Sequence, residues 1–400
     1  MKCINKILLS VLGCGLMSSG SVMGQITAEN IKEVSAGIDG EALRVSANAT
    51  FARQISRNIL DIISARLNGK SESKFDIWAT GFGGKETCKK TLEGTKTKLT
   101  STIYGVVLGA DTNINENLTV GLFGSFTKGK SKGNVTAEDE TDKYLESKHK
   151  AYFGGIYGRW MNLDETLKIT VDAFGGRIKS DDKMRAANYA TLKQYTTTDN
   201  KQFLDIGLFE SFDTYKTKAN VFGVGLNVTY TPWNVYGFNV GPWFAVDYTH
   251  LREKAYNLNL INIPSDFDEN AQYQTVDVNI KSRKQNITDV IIGIAGEYDM
   301  GPHKFMLNLG FGHEFSNGGK TIKGDVTINK YANKKAQPTS TDAKDQNFDG
   351  YEKMYGKNKF VGKASYIGTF GQFGLSAHIA TDLSKKTKGF YGGLTASYSF

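Results

Sequence analysis

From Lys74 to the C-terminus, apolar and polar residues alternate with a period of two. In 167–174, Leu167, Ile169, Val171 and Ala173 share one face, and Lys168, Thr170, Asp172 and Phe174 share the other. The stretch 304–315 repeats the pattern, with Phe305, Leu307, Leu309 and Phe311 against Lys304, Met306, Asn308 and Gly310. So does 373–380, with Phe373, Leu375, Ala377 and Ile379 against Gly374, Ser376, His378 and Ala380. Successive strand side chains point to opposite faces, so alternation of this length predicts a wall with lipid on one side and a polar lumen on the other. Twelve segments read this way: 74–84, 99–112, 117–128, 147–161, 166–179, 218–231, 236–250, 284–299, 303–316, 357–369, 372–382 and 388–400. An even number suits a bacterial barrel with both termini on the periplasmic side.

The links give an independent check. Those after strands 2, 4, 6, 8 and 10 are short: Thr112–Glu116, Asn162–Glu165, Pro232–Val235, Met300–Pro302 and Gly371. Those after strands 1, 3, 5, 7 and 9 are long and polar, the longest running from Asn317 to Gly356. Such alternation is what periplasmic turns and extracellular loops produce. Trp160, Tyr230, Trp233, Tyr236 and Tyr298 flank the short turns, where an interfacial girdle belongs. Pro242 falls inside a strand and cannot donate to the ladder, so a bulge or local disorder is expected there.

Before Lys74 the period changes. Leu43, Ala47, Phe51, Ile55, Ile59 and Ile62–Ile63 recur every three to four residues, which predicts a helix over 41–67. Arg44, Arg53, Arg57 and Arg66 give it a basic side, and Asn68-Gly69 a stop. The chain therefore divides into a leader, 1–24, an N-terminal segment, 25–73, and a barrel, 74–400. Lys2 and Lys6, the apolar run Ile7–Met17 and the small residues before Gln25 read as a secretory signal. A lipoprotein reading at Cys14 is disfavoured by Leu12 and a shortened apolar region.

Composition fits this picture. Aromatics are 12% of the chain, with 44 Gly and only 5 Pro, as long strands with aromatic girdles require. The mean hydropathy of -0.36 looks soluble, but only every second strand residue meets lipid. Beyond the leader no apolar run approaches the roughly 18 residues of a membrane-spanning helix. The net charge of +8 loses two with the leader and is spread over Lys-rich loops, favouring anionic surfaces such as lipopolysaccharide or host glycans. Nothing in it points to nucleic acid. Cys88 is the single cysteine after the leader and reads as an incidental loop thiol. No Cys/His cluster has metal-ligand spacing and no cofactor is implied.

The last strand places Phe390, Gly392, Leu394, Ala396, Tyr398 and Phe400 on one face. Phe390, Leu394, Tyr398 and the terminal Phe400 look like the signal read by the outer-membrane barrel assembly machinery, which an exposed edge strand could template. With WATGFGGK at 78–85, YGVVLGAD at 104–111, NLTVGLFGSF at 117–126, FGGIYGRW at 153–160 and terminal GLTASYSF, the chain resembles the autotransporter β-domain family over roughly 40–400. The resemblance implies a closed antiparallel barrel of about twelve strands in the outer membrane of a Gram-negative-type bacterium. It also implies a helix threaded through the lumen, linking the barrel to a secreted N-terminal passenger. About 16 residues separate Gln25 from the helix, too few to bury a core, so the expected passenger is minimal or lost.

Arg53 and Arg57, four apart, share a helix face and are expected to meet inward acids such as Asp111 or Asp172. Some members of the family cut off their own passenger at an Asn-Asn junction, but Asn48 and Asn58 stand isolated here. Asp247 and His250 point to opposite faces of one strand and cannot pair, so the expectation is that the protein is not an enzyme. The leading function is a translocator or anchor for the N-terminal segment. A surface protein acting on host or surface ligands through long loops, or a small-solute pore, are the alternatives.

Overall fold

The computed structural model describes residues 31–68, 74–92, 95–137, 140–194, 203–261, 273–317, 321–331, 337, 339–349 and 357–400. The leader expected over 1–24 and the Gly69 helix stop lie outside them. The elements are β1 (Ile31–Ile38), α1 (Asp39–Leu67), β2 (Phe75–Leu92), β3 (Thr95–Asn113), β4 (Leu118–Ala137), β5 (Glu140–Met161) and β6 (Leu167–Gln194). Then come β7 (Phe203–Tyr230), β8 (Trp233–Val235), β9 (Phe238–Glu253), β10 (Tyr256–Ile261), β11 (Tyr273–Ile280) and β12 (Arg283–Asp299). The chain ends with β13 (His303–Asn317), β14 (Thr321–Tyr331), β15 (Thr339–Asp349), β16 (Asn358–Phe370), β17 (Phe373–Leu383) and β18 (Thr387–Ser399).

Twelve of the strands, β2–β7, β9, β12, β13 and β16–β18, pair antiparallel in chain order. The ring closes where β18 lies against β2, Tyr398 opposite Ile77 and Thr387 opposite Cys88. Closure leaves no free edge at membrane depth, as a lipid environment requires. On the outer face Leu122, Ile156, Ile292, Leu307, Ile379 and Leu394 are all exposed, while the residues between them point inward. On β5 the outward apolar residues run from Tyr152 to Trp160. At about 3.3 Å per residue along a strand tilted about 40°, that is a band roughly 20 Å tall. Among the described residues no helix is long and apolar enough to cross a membrane.

The five links expected to be short turns lie at one end, and Trp160, Tyr230, Trp233 and Tyr236 are exposed beside them; the short link from β17 to β18 lies at the other. Tyr236 and Gly237, both at positive φ, make the tight turn from β8 to β9. Opposite Pro242 the ladder is irregular. Thr229 faces Trp243 but Trp233 faces Val240, so three residues, 230–232, span against Gly241 and Pro242. The other edge of β9 runs through Pro242 opposite Ile294 without a break.

At the other end the links read as long loops from the sequence are largely strand. β2 and β3 stay paired out to Leu92 and Thr95, and β6 and β7 are 28 residues each. Above the lipid both faces are wet, so the alternation that marks a strand disappears although the pairing continues. β10, β11, β14 and β15 form a separate four-stranded sheet from the links that follow β9 and β13. Cys88 is thereby moved from the expected loop to an inward position on β2, fully buried beside Glu86 and Thr387.

Candidate functional site

α1 runs down the lumen. Its continuous 3.6-residue periodicity, free of Pro, makes it a helix, and the barrel supplies the partner that so polar a segment needs. Arg44, near its start, reaches Glu253 at the outer end of β9 (3.3 Å), and Arg66, in its last turn, reaches Asp76 at the turn end of β2 (2.6 Å). The helix N-terminus is therefore at the outer end. From there β1 continues outward, Ile38 opposite Asn188 and Ile31 opposite Gln194 at the tip of β6.

The helix has two unlike sides. Leu43, Phe51, Ile55, Ile59 and Ile62 pack in one cluster with Leu99, Ile103, Leu145, Phe153, Ile178 and Val221 of β3–β7. Burying these five helix side chains contributes on the order of 10 kcal/mol, before the entropy of ordering the helix is subtracted. The wall yields where the helix is thickest. A Cβ on Gly129 would lie 2.3 Å from the Phe51 ring and 2.7 Å from the Thr102 carbonyl oxygen. Phe51 also stacks on His149 at 4.5 Å, and His149 bridges Ser131 (3.0 Å) and Ser180 (2.8 Å).

The other side of the helix meets acids on β2, β9, β12, β13 and β17. Arg53 donates to Glu314 at 2.9 Å and to Glu86, which also accepts from the Tyr391 hydroxyl. Arg57 lies 3.5 Å from Asp289 and pairs with Asp382. Lys359 joins this group, 2.7 Å from Asp289 and 3.9 Å from Asp382. Asp61 of the helix pairs with Lys363 of β16. All these charges except Lys363 are buried, so each depends on its partners for the solvation it has lost. At the outer end Asn48 donates to Glu253 (2.6 Å), and Arg44 lies over the Tyr256 ring, 4.7 Å from its centroid.

The expected pairing of Arg53 and Arg57 with Asp111 or Asp172 is redrawn. Asp111 sits at the turn end and takes Arg66 (3.3 Å) and the Tyr157 hydroxyl (2.8 Å), which in turn accepts from Trp78 (2.7 Å). Asp172 is on β6, the apolar side, where a Cβ on Gly225 would touch both it and Leu60. The cause is helix rotation: the apolar stripe takes β3–β7, so the Arg stripe must face the opposite wall. Glu86, Glu253, Asp289, Glu314 and Asp382 were not singled out from the sequence. Their signal was parity, since each falls on the inward-facing set of its strand.

The residues assigned to the C-terminal signal lie outside the lumen. Phe390, Leu394 and Phe400 are exposed on the outer face. The Phe400 ring lies 5.8 Å from Phe75 and 4.9 Å from Tyr398, and its amide donates to the Phe75 carbonyl (3.0 Å) at the closing seam. Two cavities flank the helix in the lumen, of about 40 Å³ beside Asp61, Asn308 and Lys363 and about 30 Å³ beside Arg66 and Asp76. Each is large enough for a water. Among the described residues no group of His, Cys, Asp and Glu is arranged for a metal ion.

Residues 77–350 match the family model of the autotransporter β-domain. Among solved structures, the translocator domain of autotransporter NalP from Neisseria meningitidis is similar, at 12% identity. The match covers 89% of this chain and 99% of that one, with a TM-score of 0.47. The transport unit of the autotransporter AIDA-I from Escherichia coli is 14% identical, covering 94% and 100%, with a TM-score of 0.49. The β domain of the Bordetella autotransporter BrkA is 12% identical, covering 82% and 100%, with a TM-score of 0.44. No curated protein matches the chain.

Proposed function

The chain belongs to the autotransporter β-domain family, and from that membership we propose that it carries its own N-terminal segment to the cell surface and keeps α1 as a permanent plug. As a barrel of this family it sits in a Gram-negative outer membrane, in contact with its lipid, and anchors or translocates an N-terminal segment. The observation that carries the plug reading is the direction of α1: Arg66 is tied at the turn end, Arg44 at the opposite end, and β1 runs on outward along β6. A segment preceding Ile31 then leaves on the outer side, while the buried ion pairs hold the helix in place.

In this reading the barrel has no enzymatic role and binds no cofactor. The closing strand, with Phe390, Leu394, Tyr398 and Phe400, is what the barrel assembly machinery reads, and lipopolysaccharide is the outer-leaflet neighbour. The pore is the weaker alternative, because α1 fills the lumen. An epitope placed before Ile31 tests the topology. Antibody should reach it on intact cells, whereas a cysteine at Asn162, in a Cys88→Ser background, should stay unlabelled until the outer membrane is opened. An epitope detected only after opening would reverse the helix and end the proposal.

A further inference from the structure

Above the apolar band the outer face of β4–β7 carries a row of directly opposed lysines. Lys128 of β4 stands directly opposite Lys150 of β5, Lys150 opposite Lys179 of β6, and Lys179 opposite Lys218 of β7. All four are exposed, and no acidic side chain pairs with any of them among the described residues. Directly opposed side chains on neighbouring strands are about 5 Å apart, where like charges destabilise a sheet. That separation is shorter than the Debye length of about 8 Å at physiological salt, so ions in bulk solution leave much of the repulsion in place.

The surroundings deepen the imbalance. Lys130, Lys148 and Lys216 occupy the next row outward with Asp181, and Arg177 the row below. Of these, Lys130 is neutralised by Glu146 at 2.5 Å. At the outer rim of the opposite wall Phe315, Phe360 and Leu383 are exposed, beside the cations Lys85, Arg252, Lys284 and Lys388. Cations stand elsewhere on the rim, Arg252 opposite Lys284 among them, but among the described residues a row of four directly opposed lysines occurs on β4–β7 alone. It also sits on an aromatic step. The Phe126 and Tyr152 rings, 5.1 Å apart, lie just below it, Lys128 Nζ is 5.3 Å from the Phe126 ring, and exposed Leu122 and Ile156 continue towards the membrane centre.

We propose that the outward face of β4–β7 is a binding site for a phosphorylated glycolipid of the outer leaflet. Lys128, Lys150, Lys179 and Lys218 hold its phosphates, and Leu122, Phe126, Tyr152 and Ile156 receive its acyl chains. Charge complementarity selects the occupant: a row of cations at the upper boundary of an apolar surface matches a molecule with phosphates directly above several hydrocarbon chains. A bound polyanion also removes the cross-strand repulsion, which a zwitterionic headgroup with its own ammonium does less well. The inference rests on the lipopolysaccharide contact proposed above and gives it a location.

The test uses the folded full-length protein in mild detergent, with bisphosphorylated lipid A, its dephosphorylated form and phosphatidylcholine as probes. Native mass spectrometry should show the wild type retaining bisphosphorylated lipid A at least tenfold more than either other lipid. Lys150→Gln with Lys179→Gln should lose that preference, while Lys85→Gln with Lys388→Gln, exposed cations outside the ladder, should keep it. Added lipid A should raise the melting temperature of the wild type and leave that of the ladder variant unmoved. Without lipid, the ladder variant should melt no lower than the wild type, because only repulsion has been removed. Equal retention by the two variants, indifference to the phosphates, or a lower melting temperature of the ladder variant without lipid would each overturn the site. Loss of the unheated gel shift in the wild type would instead count against the barrel itself, which keeps the two failures apart.

Discussion

Arg57→Met is the most direct test of the plug. The side chain is buried between Asp289, 3.5 Å away, and Asp382, with Lys359 as the remaining cation of the group. Met keeps most of the stem's volume but leaves two buried carboxylates sharing one ammonium. Removing one partner of a buried pair costs about 3–5 kcal/mol, which lowers the ratio of seated to unseated helix by about a hundredfold to several-thousandfold. The apolar side of α1 still contributes on the order of 10 kcal/mol, so the helix should leave the lumen transiently rather than permanently. In planar bilayers the wild type should be nearly silent and Arg57→Met should flicker. Arg57→Met with Asp382→Asn should restore most of the silence, because Lys359 and Asp289 then remain as a matched pair. A silent single variant, or a double variant noisier than the single, would show that the ion pairs do not hold the helix.

Deleting residues 25–70 behind the leader should leave a heat-modifiable barrel whose conductance rises several-fold; unchanged conductance would place the helix outside the lumen. Gly129→Val should reproduce the flicker of Arg57→Met without touching a charge, since its Cβ would overlap the Phe51 ring, and a quiet variant would mean that the helix shifts to accommodate it. Cys88 should resist maleimide in the folded wild type and react in the 25–70 deletion, because only the closed lumen protects it; labelling of the intact wild type on cells would contradict its burial. Phe400→Ser with Tyr398→Ser should cut assembled barrel sharply, measured as the heat-modifiable band in outer membranes, and normal levels would remove these rings from recognition and closure.

The wall of the barrel was legible because lipid imposes a rule on every second residue. Leu167, Ile169 and Val171, or Phe305, Leu307 and Leu309, are apolar for a reason local to their own strand, and the order of short links follows from neighbours pairing in sequence. Where lipid stops, the rule stops: 85–98 read as a loop, yet they continue β2 and β3 as paired strand, and Cys88 was misplaced with them. The helix was legible from its period, and its Arg residues from their spacing. Which acids they meet was not. Arg53 and Glu314 are 261 positions apart, and their meeting depends on ring closure, on strand register and on how far α1 is turned about its axis. That turn is set by Phe51 finding room at Gly129 and by the apolar stripe seating on β3–β7, contacts that exist only once the barrel has closed. Asp111 and Asp172 were inward, as their parity required, but one lay at the wrong depth for Arg53 and Arg57 and the other on the wrong wall. The lysine ladder has the same character: each lysine is an ordinary outward residue of its own strand, and only the register of four strands sets them in a row.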